Sequence, residues 1–469
     1  MTEQMEREVE EAIRRLAEFV ASTNYQDLPA EVAQQAKLIT VDTLGVGLRG
    51  SLEPEIQELH GRLPTGRGAT LLRAGFPEAD PATAAFANAT ATCFMELDEG
   101  SRPTGHPALH VMPPALAIAQ ALSRSGSEYL NALVLGYDVQ ARISWSTRFR
   151  YPIHPHGNMG TVGATVALGK LSGWNAEQFF QGINVAAALA TGSSWMTCLV
   201  GATVRNAYPG LSAQTAFTAR MLVESGFTGY ESALGETFGE ILGQSFSPAT
   251  LVDSLGQRYY VLHNYFKFHA CCGSNHPVLD AMANALGVVP RRGIYPPMDA
   301  VARPEPELVR QVRVRIAERS MRLGRQARNS QLSAKFSIPY SVAAYLVRGT
   351  SSPDSFADAA RTDHRIWDLA TRVEVTGDSD ITSRWPVVGA AEVEVELKDG
   401  RTLRGSCSDP FGSASNPCKP NDLLAKFCFL TSGVLSPSEQ QSLWAATLGL
   451  ENQEDMAGFP HGTQGQETA

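Results

Sequence analysis

The chain is expected to be mostly α-helical with a smaller α+β domain: a large all-helical domain carrying an inserted α+β lid domain. Three observations predict this. Up to about residue 250, apolar residues recur at helical spacing in segments rich in Ala and Gly. Alternation of polar and β-branched residues is confined to the middle of the chain, as in QVRVRI at Gln311–Ile316. Helical spacing returns after about residue 420. Strands restricted to one segment divide the chain into 1–272, a lid over 273–405, and a 406–469 return to the helical domain.

The elements follow in order. Glu6–Ala21 is amphipathic, and Ala30–Leu48 carries apolar residues at helical spacing behind Pro29. Residues 69–78 read as a short extended piece. Pro81–Met95 is a run of small residues suited to a tightly packed helix. A polar loop follows, then helices from about Pro113 to Leu122 and from Gly126 to Trp145. His154–Trp174 is a Gly/His loop running into an Ala/Gly-rich helix, and Ala176–Thr191 repeats that style. Val204–Gly226 is a loop and a helix ending at a glycine cap. His276–Val288 and Ser333–Val347 read as helices. Val373–Thr376 and Ala391–Leu397 read as strands, and Lys398-Asp399-Gly400 followed by Thr402–Gly405 is a hairpin signal. Pro420–Thr431 and Ser436–Leu448 are helical, and the polar tail after Glu451 is expected to be poorly ordered.

With 469 residues the chain exceeds one ordinary core. Its 43% hydrophobic and 19% charged residues are those of a globular protein in water. A net charge of −9 argues against a nucleic-acid partner and against a basic membrane patch. No apolar run approaches the ~20 residues that span a bilayer. Seven cysteines without a C-x-x-C pair suit a reducing cytosol. The acidic, helical N-terminus is neither a secretory signal nor a transit peptide. A cytoplasmic location is expected.

Two stretches carry the chemistry. In Met95–Ala117 an apolar chain turns abruptly to Glu96, Asp98, Glu99, Arg102, His106 and His110. Pro103, Gly105 and Pro107 are expected to keep this run out of regular helix. Polar groups between buried helices need partners, and such loops often hold catalytic groups. The competing reading is a solvated connection between helices. In Tyr265–Leu279, Lys267, His269, Cys271, Cys272 and His276 lie close together. A lysine flanked by aromatics is expected to have a lowered pKa, fit for proton transfer or carboxylate pairing. The competing reading is a snorkelling lysine beside packed cysteines.

A metal site is not expected. Pro107 interrupts the His106/His110 spacing, and adjacent Cys271 and Cys272 rarely ligate one tetrahedral ion. Iron–sulfur spacing, a phosphate-binding loop and a nucleophile elbow are all missing. What remains are His, Lys, Arg and carboxylate residues on separate loops: Glu96/Asp98/His106, His154/His156, Arg205/Tyr208 and Lys267/His276. Cations can hold carboxylates, and a His or carboxylate can move a proton beside one. Such a set suits cofactor-free elimination, decarboxylation or epimerisation of a small polycarboxylate.

Six ordered blocks resemble the MmgE/PrpD family, which includes 2-methylcitrate dehydratase, cis-aconitate decarboxylase and iminodisuccinate epimerase. They are ELDEG…GHP…PPALA (96–117), HPHGNMGTVGATVALGKLSGW (154–174), RNAYPGLSAQTAFTARMLVESGFTG (205–229), FKFHACCGSNHPVLDAM (266–282), AKFSIPYSVAAYLVRG (334–349) and NPCKPNDLLAKF (416–427). The resemblance covers about residues 8–445. It implies a helical domain with an α+β lid, a homodimer, and no metal or organic cofactor. It also implies a lyase acting on a small di- or tricarboxylic acid by dehydration or decarboxylation; an epimerase or a catalytically silent member are the alternatives.

By the same resemblance, His106, Lys267, Asp98 and His154 are similar to catalytic positions. Glu96, Arg205, Tyr208, Cys272, His276 and His156 are assigned to substrate binding. Three positions depart from the family pattern. Gly100 stands where Thr is usual, Arg205 where Lys is usual, and Tyr208 where His is usual. Arginine stays charged, so Arg205 is expected to hold a carboxylate rather than move a proton.

Overall fold

The computed structural model describes residues 1–288, 303–326 and 330–460. Its centre is the helix Pro81–Met95, which starts with Asp80 accepting from the Ala82 and Thr83 amides and with Pro81 preset for the first turn. Helices Ala30–Gly50, Pro107–Ala121 and Tyr208–Glu224 pack against it. Gly126–Ser146 and Met159–Leu171 form the next layer. The small residues explain the closeness. A Cβ at Gly136 would lie 2.6 Å from the Gly163 carbonyl oxygen, and one at Gly163 would lie 2.7 Å from that of Gly136. Among the described residues no helix is long and apolar enough to cross a membrane.

Two local expectations are corrected. The helix expected from Pro113 begins at Pro107 and runs to Ala121, with Pro113 and Pro114 inside it. Pro107 starts the helix instead of breaking it, because a first-turn proline forfeits no hydrogen bond. His106 is therefore the N-cap residue, and His110 lies on the helix. The Ser333–Val347 helix is split into Gln331–Lys335 and Ile338–Arg348, where the Ser337 side chain caps the second piece and Pro339 enters its first turn.

The strands of the middle segment form a four-stranded sheet in the order Thr402–Cys407, Ala391–Leu397, Val309–Ala317, Val373–Asp378. The first three are antiparallel, and the last pair is parallel. The parallel pair needs a long crossover, which the intervening helices supply. Val312, Val314, Val393 and Val395 are buried on one face. The other face is a ladder of Arg313 and Arg315 against Glu392, Glu394 and Glu396. The predicted hairpin turns at Gly400, whose φ of +89° favours glycine. Helix His276–Ala285 lies on this sheet, with Gly405 beneath the Ala281 carbonyl.

The C-terminal helix Pro420–Thr431 returns to the body against Ala30–Gly50. There Lys426 Nζ meets Asp42 Oδ1 at 2.6 Å and donates to the Leu97 carbonyl at 2.9 Å. The tail expected to be poorly ordered is instead packed as far as residue 460. Met456 and Phe459 are buried, Gln120 donates to the Phe459 carbonyl, and Glu451 pairs with Lys37 at 2.8 Å. Residues 461–469 of that tail lie outside the described residues.

Candidate active site

A two-residue ladder brings the informative stretches together. Gly100 pairs with Tyr265 and Ser101 with Asn264, antiparallel. This places Lys267 beneath the acidic loop. Glu96 ends its helix with φ of +52°, a sparsely populated state for a non-glycine residue. Its carboxylate accepts from Arg205 Nη1 at 2.5 Å and from Lys267 Nζ at 3.0 Å. Lys267 Nζ is also 4.0 Å from Asp98 Oδ1, and Asp98 Oδ2 meets His106 Nδ1 at 2.7 Å. Lys267 is fully buried, and Glu96, Asp98 and Arg205 nearly so.

Charge balance sets the protonation states. Burial opposes ionisation of Glu96, but Arg205 and Lys267 hold it below the ordinary carboxylate range. Burial also opposes Asp98, which His106 and Lys267 hold low. Burial alone would lower Lys267, as the sequence suggested. Glu96 and Asp98 reverse this and hold it above the ordinary lysine value. Lys267 is therefore a fixed ammonium. Glu99 differs: burial pushes it up to about 8, against hydrogen bonds from the Ala108 amide and the Tyr137 hydroxyl, both at 2.8 Å. It ties the start of the Pro107–Ala121 helix, and so His106, to the core.

Four histidines cluster beside this pair. The ring of His156 is 4.7 Å from His154, 4.9 Å from His106 and 5.0 Å from His110. His110 Nδ1 bonds the His106 carbonyl at 2.8 Å. A Cβ at Gly160 would lie 2.2 Å from His110 Cδ2, so that glycine makes room for the ring. The His154 Nδ1 accepts from the His156 amide at 3.1 Å, leaving its proton on Nε2. Burial and Arg205 push His154 and His156 well below the ordinary value, and both are neutral.

One cavity between body and sheet segment is lined by Glu96, His106, His154, His156, Arg205, Cys272 and His276, all named from sequence. Asp98 and Lys267 are not among the lining residues; they touch His106 and Glu96, which are. Tyr208 does not line it; its hydroxyl bonds Thr197 Oγ1 at 3.2 Å, and its ring is 6.3 Å from His154. Cys93, missed from sequence, accepts from Arg205 Nη1 at 3.2 Å, and burial pushes its thiol up to about 12. Among the described residues no group of three or more His, Cys, Asp or Glu is arranged to hold a metal ion.

Sequence reasoning also missed Arg319 and Arg322, from the 3-10 helix Glu318–Leu323 at the end of the central strand. Their guanidinium carbons stack 4.2 Å and 4.3 Å from the ring centroids of Trp385 and Trp195. Arg319 donates to the Pro103 carbonyl at 3.4 Å. Burial lowers both pKa values, Arg319 to about 10, and no carboxylate among the described residues raises either. By contrast, Arg205 is paired with Glu96, and Arg102 at the cavity rim with Asp409. The available signal was the E-R-S-M-R spacing, which puts both arginines on one side of a three-residue turn.

Helical body, sheet-bearing segment and a cavity of histidines and arginines between them define a two-part α and α+β architecture. The chain belongs to the MmgE/PrpD family: the MmgE/PrpD N-terminal domain matches residues 14–248 and the C-terminal domain residues 269–452. It is similar to cis-aconitate decarboxylase of Aspergillus terreus, at 23% identity over 92% of this chain and 91% of that protein. It is also similar to human cis-aconitate decarboxylase, at 25% identity over 91% of this chain and 89% of that one.

Proposed function

We propose that the protein is a lyase that acts on a small di- or tricarboxylic acid by proton transfer beside a carboxylate, with no metal or organic cofactor. The observation that carries this reading is the pair Arg319 and Arg322, two cations without carboxylate partners among the described residues, lining the same cavity as the Asp98-bound His106. The arginines hold substrate carboxylates through charge-assisted hydrogen bonds. Asp98 Oδ2 accepts from His106 Nδ1 and leaves Nε2 as the atom that takes a proton from water and passes it to substrate. Lys267 and Glu96 keep their charges and set the field.

The names of the relatives favour decarboxylation over dehydration. The bond to the departing carboxylate breaks, its electron pair spreads into the remaining unsaturated acid, and His106 Nε2 delivers a proton to carbon as CO2 leaves. Purified protein incubated with cis-aconitate, methylcitrate and iminodisuccinate in D2O, followed by NMR, tests the reading. The expected result is CO2 loss from cis-aconitate with one deuterium incorporated, unchanged after dialysis against a strong chelator. Solvent exchange with inversion and no CO2 or water loss would instead mean an epimerase, and inertness toward all three acids overturns the proposal. Arg319→Gln and Arg322→Gln should each raise KM about tenfold or more while kcat changes less.

A further inference from the structure

Gly100 and Tyr265 are cross-strand partners whose contact the chemistry above does not use. A Cβ at Gly100 would lie 2.3 Å from Tyr265 Oη and 2.4 Å from its Cζ. A Cβ at Gly273 would lie 2.9 Å from the same Oη. Neither glycine has a positive φ, so neither is required by its backbone conformation. Both are required by space: the phenol lies over bare backbone on two sides, and its hydroxyl fills the place of any side chain at position 100.

The Tyr265 ring is 6.5 Å from that of His106, edge-on, and both line the cavity. A largely buried tyrosine hydroxyl usually finds a partner. The hydroxyl of this one makes no hydrogen bond to another described residue; burial is the largest influence on it, and Lys267 and Arg102 oppose that influence. Burial pushes its pKa up, so it stays a donor at neutral pH.

We propose that Tyr265 contacts the substrate, donating its hydroxyl to an oxygen of the bound acid beside His106, and that position 100 is glycine in order to admit it. The chemistry of the ligand rests on the polycarboxylate reading above; the aim of the hydroxyl rests on the geometry of Gly100, Gly273 and the cavity.

Tyr265→Phe removes an atom with no hydrogen-bond partner among the described residues, so its melting temperature should match wild type. Its kcat/KM on the accepted acid should fall about 10–100-fold, the worth of a hydrogen bond to a charged group. Gly100→Ala should reproduce the loss by displacing the ring, and the double variant should be no worse than the worse single one. Calorimetric binding of tricarballylate, an unreactive tricarboxylate, reads the contact without turnover, and Tyr265→Phe should weaken it by a similar factor. Unchanged kcat/KM and unchanged tricarballylate Kd in Tyr265→Phe overturn the assignment and leave the lyase reading standing. If wild type converts none of the acids but binds tricarballylate, and Tyr265→Phe weakens that binding, the lyase reading fails and Tyr265 keeps its role. If wild type neither converts nor binds any of them, both are overturned.

Discussion

Among the described residues, Glu96 is the one carboxylate directly bonded to two buried cations, Arg205 and Lys267. Replacing it by Gln keeps its shape but leaves both facing a neutral amide, with only Asp98 nearby at 4.0 Å from Lys267. Breaking a buried pair at one partner costs roughly 3–5 kcal/mol, so Glu96→Gln should lower the urea midpoint markedly. A variant as stable as wild type would show that the cluster is hydrated and weakly coupled. His106 makes the opposite case. It is slightly open to the cavity, and Gln retains its capacity to bond Asp98. His106→Gln should therefore fold normally while kcat falls by about 10²–10⁴-fold, the usual worth of general acid–base catalysis. A normally folded variant that keeps most of its kcat would make His106 structural and shift proton transfer to His154. The residues of this site were legible because charge interrupts an apolar chain at Glu96–His106. Arg319 and Arg322 were not, since arginines beside a strand end look like solvated surface until Trp385 and Trp195 are seen beneath them.

Helices and loops were readable wherever one local rule governed. Pro81–Met95 and Ala391–Leu397 match their periodicity because small residues and β-branched alternation leave little choice. The start of the Pro107–Ala121 helix differs from its expected position because proline acts oppositely at a first turn and in an interior, and only the position of Pro107 decides between them. Pairing between distant segments was not readable at all: two residues of ladder at Gly100–Ser101 carry no periodicity. The helix Met159–Leu171 shows how an element reaches the site. Its Gly160 faces the His110 ring, which holds the His106 carbonyl. Gly160→Ala puts a methyl 2.2 Å from His110 Cδ2, so the ring must move. Overpacking of this kind costs about 1–3 kcal/mol. The melting temperature should fall by several degrees, and kcat should fall with it at a temperature where the variant is fully folded. Wild-type kcat in such a variant would show that His110 does not position His106.

Across the whole molecule, burial of histidines ties stability to pH. His60, His110, His154, His156 and His276 are buried and pushed below the ordinary imidazole value, chiefly by burial, with His60 and His110 at about 4. Such a group binds fewer protons folded than unfolded between its folded value and about 6.5, so its contribution is complete above that range and is lost as pH falls through it. For His110 alone the shift is worth roughly 3 kcal/mol. Among the described residues three buried carboxyls oppose this: Asp42, Glu99 and Asp138 are raised by burial, Glu99 to about 8, and each binds more protons folded than unfolded above its ordinary value. Their sign makes stability fall as pH rises through their shifted range. As the unfolded imidazoles fill between pH 6.5 and 5, five histidines act against at most three carboxyls, and near pH 5 the histidines win by about two protons. The unfolding free energy should then drop by roughly 3 kcal/mol per pH unit at its steepest. Urea titrations from pH 7.5 to 5 should show a midpoint that falls sharply below 6.5. A flat midpoint across that range would mean that these five histidines take up protons over the same range folded as unfolded, so that burial does not hold His154 and His156 neutral.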